Sequence, residues 1–590
     1  MSAAGRSATT APPPRPRAGW PARVIPILGW APRYPRDRLR GDVTAGLTVA
    51  VMLIPQGMAY AGLAGMPPIT GLYAAIVGIA VYAVLGTSGS LAVGPVAITS
   101  LLTVEGLASV ATPDDPSYPA TAALLALMVG AVLLVLGVLR LGVLVNLLSH
   151  PVISGFTSGA AIVIALSQVG QLLGLDLDRP DGTIETIRAV AAAIDGANVA
   201  TVVLAAAAIA VLVAGKRSSR RWPTALIVVV LGTLATWGLG LDDEGVAVLG
   251  DVPSGFPAPA VPEVRGELLG DLLPVALTIA VVAFAEGISV AKAIGRKTRE
   301  VVDADQELIA TGAANVAAGA FSGFPIAGGF SRTAVNHDAG ARTPLASLIT
   351  AVVLAIAVLW MTPLFTYLPK AVLAAIVVVA VLGLVDVAEA RHTFRVSRPD
   401  GAALAVTFLV TLLVGVEPGL VAGIVFSLAA FVWRTSAPHA TELGRVEGTT
   451  EYRNVDRWPT STSAEVAILR IDAPLFFANV RRLDEHVQAL LATRPAARAI
   501  VLDASAITDI DASGVHAVRE LDRDLADAGI ALHLTTVRGP VRDALARGNA
   551  WDGLAERVHP SVAAACAAAA PGSPLCGIQP GEAADDGHVV

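Results

Sequence analysis

The sequence predicts a mainly α-helical membrane protein followed by a small α/β domain. Of 590 residues, 54% are hydrophobic and only 15% charged, against about 25% charged in a typical soluble protein. The charge is unevenly placed: apolar stretches between about 45 and 433 carry few charges, whereas 440–560 reads like soluble protein. With 41 Lys+Arg, 48 Asp+Glu and a formal charge of −7, no basic excess exists to hold a polyanion, which argues against a nucleic-acid partner.

The first 40 residues, rich in Pro, Arg, Ala and Ser, lack the apolar run of a signal peptide and read as a flexible arm. Arg33, Arg36, Arg38 and Arg40 precede the first apolar segment and predict a cytoplasmic N-terminus. Apolar segments follow at about 43–61, 69–86, 94–109, 119–140, 152–174, 197–215, 223–241, 271–294, 307–322, 331–341, 344–361, 369–385, 400–416 and 418–434. A full helical span needs about 20 apolar residues. The third, ninth and tenth segments are short, and pattern alone also accommodates twelve or thirteen spans. The basic residues supply a second test. Arg140, Lys216–Arg217 with Arg220–Arg221, Lys292 with Arg296–Arg299, Arg391 with Arg395 and Arg398, and Arg434 follow even-numbered segments. The base-free Asp114–Asp115 and Asp242–Glu244 stretches fall on the opposite side. An even count with both termini cytoplasmic follows.

The two halves are weakly similar. Leu91–Pro95 and Gly328–Arg332 each open a short Gly/Pro-marked segment, third in its set of seven. Short interrupted spans at matching positions point to a transporter site built from discontinuous helices. Two helix N-termini near mid-membrane present free N–H groups and positive dipole ends, which suit an anion; the plainer alternative is that Gly and Pro are common in membrane helices.

Glu286 lies well inside the eighth segment, where a carboxylate is costly and marks an ion or proton path. It can couple an anion to a proton, or be locked to Arg332 or backbone donors. Gln56 follows Pro55, read as a break in segment 1, with Tyr60 one turn on. Phe330, Ser331 and Arg332 open segment 10, and Thr99 and Ser100 follow Pro95. Arg332 is the counter-charge an anion requires, or a helix anchor. Glu105, Gln168 and Asn315 read as interhelical hydrogen-bonding groups, and Asn336, His337 and Asp338 as cap or loop groups.

From Ala464 the pattern alternates: strands at 466–471, 500–503 and 531–534, helices at 479–492, 514–525 and 541–546, an α/β domain of about 100 residues. Ser513 reads as a helix N-cap. No nucleophile–base–orienter set and no Gly-Lys-Ser/Thr phosphate loop is present, so the chain reads as neither an enzyme nor an ATP-driven pump. Cys566 and Cys576, both near the C-terminus, suggest no disulfide framework and no metal site.

The stretch Gly46–Ala61 with Pro67–Pro68 and Gly71–Tyr73 resembles the opening signature of the sulfate permease (SulP) family, solute carrier family 26. Gly94–Ala97, Ser331–Asn336 and Leu368–Leu373 are similar to its later motifs. Asp503–Ser505 and Ile510–Gly514 resemble the STAS domain. The resemblance implies fourteen membrane segments in two inverted seven-segment repeats, with segments 1–4 and 8–11 as core and 5–7 and 12–14 as gate. It implies a secondary transporter of a small anion (sulfate, bicarbonate or a dicarboxylate) working by an elevator-type alternating-access movement, in a bacterial plasma membrane and usually as a homodimer. The implied substrate-binding residues are Gln56, Tyr60, Val96, Ala97, Phe330, Ser331 and Arg332. Glu286 matches the acidic position of proton-coupled members, so H+ is the expected coupling ion, with Na+-coupled bicarbonate transport or exchange as alternatives. No cofactor or metal is implied. Ser513 matches the serine phosphorylated in related anti-sigma antagonists and is a candidate regulatory residue; a cytoplasmic partner recruited by STAS, or a purely signalling scaffold, is the remaining alternative. The expected domains are an arm at 1–40, a transmembrane domain at 41–435, a linker and STAS domain at 436–565 and a disordered tail at 566–590.

Overall fold

The computed structural model describes residues 21, 24–143, 149–177, 182–218, 224–256, 258–259, 262 and 266–571. They divide into two compact units, 1–427 and 428–590.

A helix covers each of the fourteen predicted segments: α1 (Leu39–Leu63), α2 (Pro68–Leu85), α3 (Ala97–Leu107), α4 (Tyr118–Val138), α5 (His150–Ser167), α6 (Val199–Ser218), α7 (Thr224–Leu239), α8 (Gly266–Thr298), α9 (Ala304–Ala320), α10 (Phe330–Asp338), α11 (Leu345–Trp360), α12 (Lys370–Val381), α13 (Arg398–Leu413) and α14 (Val416–Ser436). Among the described residues seven helical stretches are long and apolar enough to cross a membrane. The helices Thr183–Ala193 and Val387–Val396 were not anticipated. Both carry charged residues, Glu185 and Arg188 in the first and Glu389, Arg391 and Arg395 in the second, and are too short to span. Pro55 does not break α1, which runs unbroken through it; a proline in a membrane helix is tolerated where neighbours satisfy the freed carbonyl.

Within the first unit α9 packs on α4 and α2, α11 on α1 and α2, and α8 on α4 and α3, while α5 packs on α13 and α6 on α12. Small residues allow the close crossings: a Cβ on Gly130 of α4 would lie 2.7 Å from the Gly312 carbonyl oxygen of α9. Two strands of two residues, β1 (Val93–Gly94) and β2 (Ala327–Gly328), pair antiparallel directly before α3 and α10. Gly94 has φ +147°, a conformation essentially restricted to glycine.

Residues 24–40, expected to be flexible, are fastened. The carbonyl oxygen of Val24 accepts from Gln306 Nε2 (3.1 Å) and Tyr34 Oη donates to Asp42 Oδ2 (2.8 Å). The Tyr34 phenol is pushed up to about 12, first by burial and then by Asp42. Residues 1–20 of the expected arm lie outside the described residues.

The second unit holds β3 (Ala440–Val446), β4 (Tyr452–Asn454), β5 (Thr460–Ser461), β6 (Val466–Ile471), β7 (Ala499–Asp503), β8 (Ala531–Thr535) and β9 (Val558–His559), with helices α15 (Val480–Thr493), α16 (Ala512–Asp527), α17 (Gly539–Arg547) and α18 (Val562–Ala569). The sheet order is β4-β3-β6-β7-β8-β9, with β5 on β3; β6 to β9 run parallel and β3 is antiparallel to β6. Leu483, Val487 and Leu490 of α15 and Val518, Leu521 and Leu525 of α16 pack on Ile500, Leu502 and Leu532. Of the disordered tail expected from 566, the first residues are instead ordered: α18 continues to Ala569 with Cys566 buried against Val501 and Ile468. Cys566 is disulfide-bonded, and the chain's other cysteine, Cys576, lies outside the described residues with the rest of 572–590.

Candidate functional site

The site grows from the β1–β2 pair. Its antiparallel register, Val93 with Gly328 and Gly94 with Ala327, aims two helix starts at one place in the first unit. Val96 and Gly329 are the N-cap residues of α3 and α10, and neither helix has a side-chain cap. The first-turn N–H groups are therefore without side-chain acceptors, and the N-terminal ends of both dipoles are positive.

Side-chain bonds hold α10 to the chain before β1. Thr333 Oγ1 accepts from Ala92 N (3.1 Å), Asn336 Nδ2 donates to the Ser90 carbonyl (2.9 Å), and Gly329 N donates to the Ala92 carbonyl (3.1 Å). Asn336 is thus a buried tie between the halves rather than a cap or loop group. Asn315 does a similar job: its Oδ1 accepts from Ile326 N and its Nδ2 donates to Ile326 O, both at 2.9 Å. It fixes the approach to β2 instead of bridging helices. Among the described residues Gln168 donates to its neighbour Ser167 Oγ (3.1 Å), whereas the Glu105 carboxylate, on the outer side of α3, accepts a backbone hydrogen bond from Val416 at the start of α14, an interhelical bond as expected.

Arg332 is 2% exposed, and its Nη1 donates across to the Pro95 carbonyl that precedes α3. Its Nε and Nη2 are buried with no hydrogen-bond partner among the described residues. The same holds for Glu286 Oε2 and for Gln56 Oε1. Buried polar atoms normally find partners, and a buried charge left incompletely paired costs several kcal/mol. These orphans are not scattered. Glu286, Arg332 and Tyr60 interact electrostatically with one another, and Gln56 stands one turn before Tyr60 on α1, on the same face. Val96 packs with Ala283 of α8 and Ala327 of β2. A Cβ on Gly328 would lie 2.9 Å from Gly287 Cα, so α8 presses its Glu286 turn directly onto β2.

Glu286 and Phe330 line a cavity of about 20 Å³ together with Ile98, Val282 and Ala285, and with Ile153, Phe156 and Thr157 of α5 and Leu420 of α14. That volume suits one water molecule. The α5 and α14 residues were missed in the sequence because an apolar helix face gives no sign of what it opposes. Of the other expected residues, Ala97 is buried at the first turn of α3 and Ser331 is exposed beside Arg332. The hydroxyls of Thr99 and Ser100 fold back onto the Val96 carbonyl (3.2 and 2.8 Å).

Two further carboxylates escaped the sequence reading. Glu307 of α9 accepts from Tyr82 Oη (2.8 Å), Thr87 N (2.7 Å), Thr87 Oγ1 (2.6 Å) and Ser88 N (3.2 Å). Asp42 of α1 accepts from Tyr34 Oη (2.8 Å), Arg342 N (2.7 Å), Thr343 N (3.2 Å) and Thr343 Oγ1 (2.7 Å). Each clamps the half of the chain to which it does not belong. Their signal was an acid at the edge of an apolar segment, Asp42 after Arg40 and Glu307 after Asp303 and Asp305.

In the second unit the N-cap of α16 is Asp511, not Ser513. Asp511 Oδ1 accepts from Gly514 N (2.8 Å) and Oδ2 from Phe477 N (2.9 Å). An acid held by two backbone donors displaces the weaker hydroxyl cap, and Ser513 is exposed in the first turn. Among the described residues no group of three His, Cys, Asp or Glu side chains could hold a metal ion.

A long apolar helical bundle with paired helix starts, joined to an α/β unit, is the architecture of a membrane anion transporter. The chain belongs to the sulfate permease family, whose model matches residues 39–407, and a STAS domain matches 457–565. It is 35% identical over 570 residues to the chloroplastic sulfate transporter 4.1 of Arabidopsis thaliana, covering 92% of this chain and 82% of that one. It is 36% identical over 544 residues to a probable sulfate transporter of Mycobacterium tuberculosis, covering 90% and 97%. Its fold is similar to that of the murine Solute Carrier 26 family member A9 anion transporter in the inward-facing state (TM-score 0.85, 24% identity, 92% and 94% covered). It is also similar to the transmembrane domain of a cyanobacterium bicarbonate transporter (TM-score 0.58, 26% identity, 66% and 98% covered).

Proposed function

We propose that this chain imports a small oxyanion, sulfate first, in symport with a proton, binding it between the starts of α3 and α10. The observation that carries the reading is the gathering of unpartnered polar atoms: Arg332 Nε and Nη2 as donors, Gln56 Oε1 and Glu286 Oε2 as acceptors. An oxyanion takes the arginine donors and the free N–H groups of both helix starts. A proton on Glu286 turns its carboxylate into a donor and removes a negative charge from beside the anion. Anion and proton therefore bind favourably together, which is the thermodynamic basis of symport. Gln56, Tyr60, Val96, Ala97, Phe330 and Ser331 complete the substrate site in this reading. Relatives named as sulfate transporters at 35 and 36% identity favour sulfate over bicarbonate or a dicarboxylate.

In the same reading the fourteen helices form two inverted repeats. α1–α4 with α8–α11 are the moving core and α5–α7 with α12–α14 the gate, a division supported by the packing of α9 on α4 and of α5 on α13. The cavity between them, about 20 Å³, is too small for a multi-atom anion, so loading requires the two groups of helices to separate. The transporter works as a homodimer in a bacterial plasma membrane with both termini cytoplasmic, and its STAS domain serves assembly, partner binding or regulation through Ser513.

The test is uptake of labelled sulfate, bicarbonate and fumarate into proteoliposomes with and without an inward proton gradient. Gradient-driven accumulation of sulfate is expected. Accumulation driven only by sodium, or exchange without either gradient, would overturn proton symport.

A further inference from the structure

The second unit contains a cavity of about 300 Å³ lined by His439, Arg453, Asn454, Arg457, Trp458, Arg470 and Asp472. That size lies at the lower end for small-molecule sites. Three guanidinium groups face a single carboxylate in the lining. That carboxylate is already engaged: Asp472 Oδ2 lies 3.0 Å from His439 Nδ1, and Oδ1 lies 2.8 Å from Arg470 Nε. The buried Arg470 Nε makes no aligned hydrogen bond among the described residues, and the arginine holds Asp472 through a long Nη2–Oδ2 bond of 3.5 Å. Arg453 is paired from outside the lining by Glu451 (2.8 Å) and stacks over the Trp458 ring at 5.4 Å, which fixes the plane of its guanidinium. Arg457 makes no side-chain hydrogen bond or ion pair among the described residues. Among the described residues the balance, with Glu451 counted, leaves one uncompensated cation in a polar pocket.

We propose that this pocket binds a tetrahedral oxyanion, phosphate-like or sulfate-like, with Arg457 and Arg470 as its donors and Trp458 as its wall. Guanidinium forks match the oxygen edge of such an anion better than that of chloride. The anion is supplied either free or as a lipid headgroup. His439 stands three residues beyond Ser436, the end of α14, so its backbone is within about 10 Å of that helix end, close enough to a membrane surface for either source.

The experiment uses the full chain in nanodiscs and follows tryptophan fluorescence. One arm titrates inorganic phosphate or sulfate into discs of phosphatidylcholine; the other compares discs with and without phosphatidylglycerol. A saturable change is expected that disappears in Trp458→Phe and whose midpoint rises about tenfold in Arg457→Gln, the loss of one charge-assisted bond. A response confined to the second arm assigns the anion to lipid, and one in the first arm to a free ion. No Trp458-dependent response in either arm overturns the proposal, as does an undiminished response in the Arg457→Gln, Arg470→Gln double variant. Arg332→Ala separates the two readings: it is expected to end uptake and leave the Trp458 signal intact.

Discussion

Glu286 and Glu307 are the same side chain at similar depth in the same unit, 8% and 2% exposed, yet their surroundings are opposite. Around Glu307 the fold supplies four donors, two from backbone and two from hydroxyls. Around Glu286 it leaves Oε2 with none, close to an arginine that is itself only partly satisfied. A carboxylate whose oxygens are filled is part of the scaffold, because changing its charge breaks bonds the fold relies on. A carboxylate with an empty oxygen can change its partner, or its proton, while the fold stays as it is. Burial and residue type are alike in the two regions, so hydrogen-bond satisfaction is what separates clamp from working site.

The largest expected effect lies on the working side. Arg332→Ala removes the fixed positive charge between the two helix starts and should end uptake, weakening anion binding roughly a hundredfold, about 3 kcal/mol for two charge-assisted bonds. Arg332→Lys, which keeps the charge and loses the fork, should fall between. Equilibrium binding of labelled sulfate in detergent measures both, and near-normal affinity in the alanine variant would make Arg332 a helix anchor through its bond to Pro95.

Next come the two glutamates exchanged one against the other. Glu286→Gln keeps the shape and removes the proton, so uptake should lose its dependence on the proton gradient while the melting temperature changes little. Glu307→Gln should do the reverse. Its amide turns a donor toward Thr87, Ser88 or Tyr82, all of which donate already, at a cost of about 3 kcal/mol. The purified protein should then melt several degrees lower with its coupling ratio unchanged in whatever fraction stays folded. Equal losses of stability in both variants would erase the distinction drawn here.

Much of this architecture is legible in the sequence. Apolar runs locate the fourteen helices, although length alone does not mark the short third, ninth and tenth, and the strand and helical patterns mark the three central strands and three of the helices of the second unit. The helices Thr183–Ala193 and Val387–Val396, β3 to β5 and β9 have weaker or shorter patterns. Gln56, Tyr60, Glu286 and Arg332 could be nominated because charge, Gly and Pro are conspicuous in apolar text, whereas Val96 and Ala97 rest on the family resemblance. Ile153, Phe156, Thr157 and Leu420 could not, since their position opposite Glu286 depends on how helices pack. The competition for the α16 cap was also invisible. Asp511 and Ser513 are both good cap residues, and only the Phe477 N–H, 34 positions upstream, favours the acid.

A smaller effect tests the backbone beneath the working side. Gly94→Ala places a Cβ at φ +147°, a strain of about 1–3 kcal/mol, and should shift β1 relative to β2. Sulfate affinity should fall more than melting temperature, because the helix starts are misaligned while the clamps at Glu307 and Asp42 stay filled. A variant with lowered melting temperature and unchanged affinity would mean that the β1–β2 register does not set the site.

The smallest effect concerns a half-buried titratable pair in the second unit. His533 on β8 and His559 on β9 stack with ring centroids 5.2 Å apart and place Nδ1 and Nε2 at 3.0 Å. One proton satisfies that contact; a second makes both nitrogens donors. Burial, followed by His559 and Arg557, holds His533 below its ordinary 6.5. A histidine whose folded value is depressed binds fewer protons folded than unfolded, so stability rises with pH through this window. Its full contribution is present above pH 6.5 and is lost as the pH falls toward the folded value. Denaturation of the second unit, followed in the whole protein between pH 7.5 and 5, should show this loss. His533→Asn should flatten it while leaving gradient-driven uptake at pH 7.5 intact. An unchanged slope in that variant would assign the acid sensitivity to carboxylates, and the histidine pair would then join Glu307 on the satisfied side.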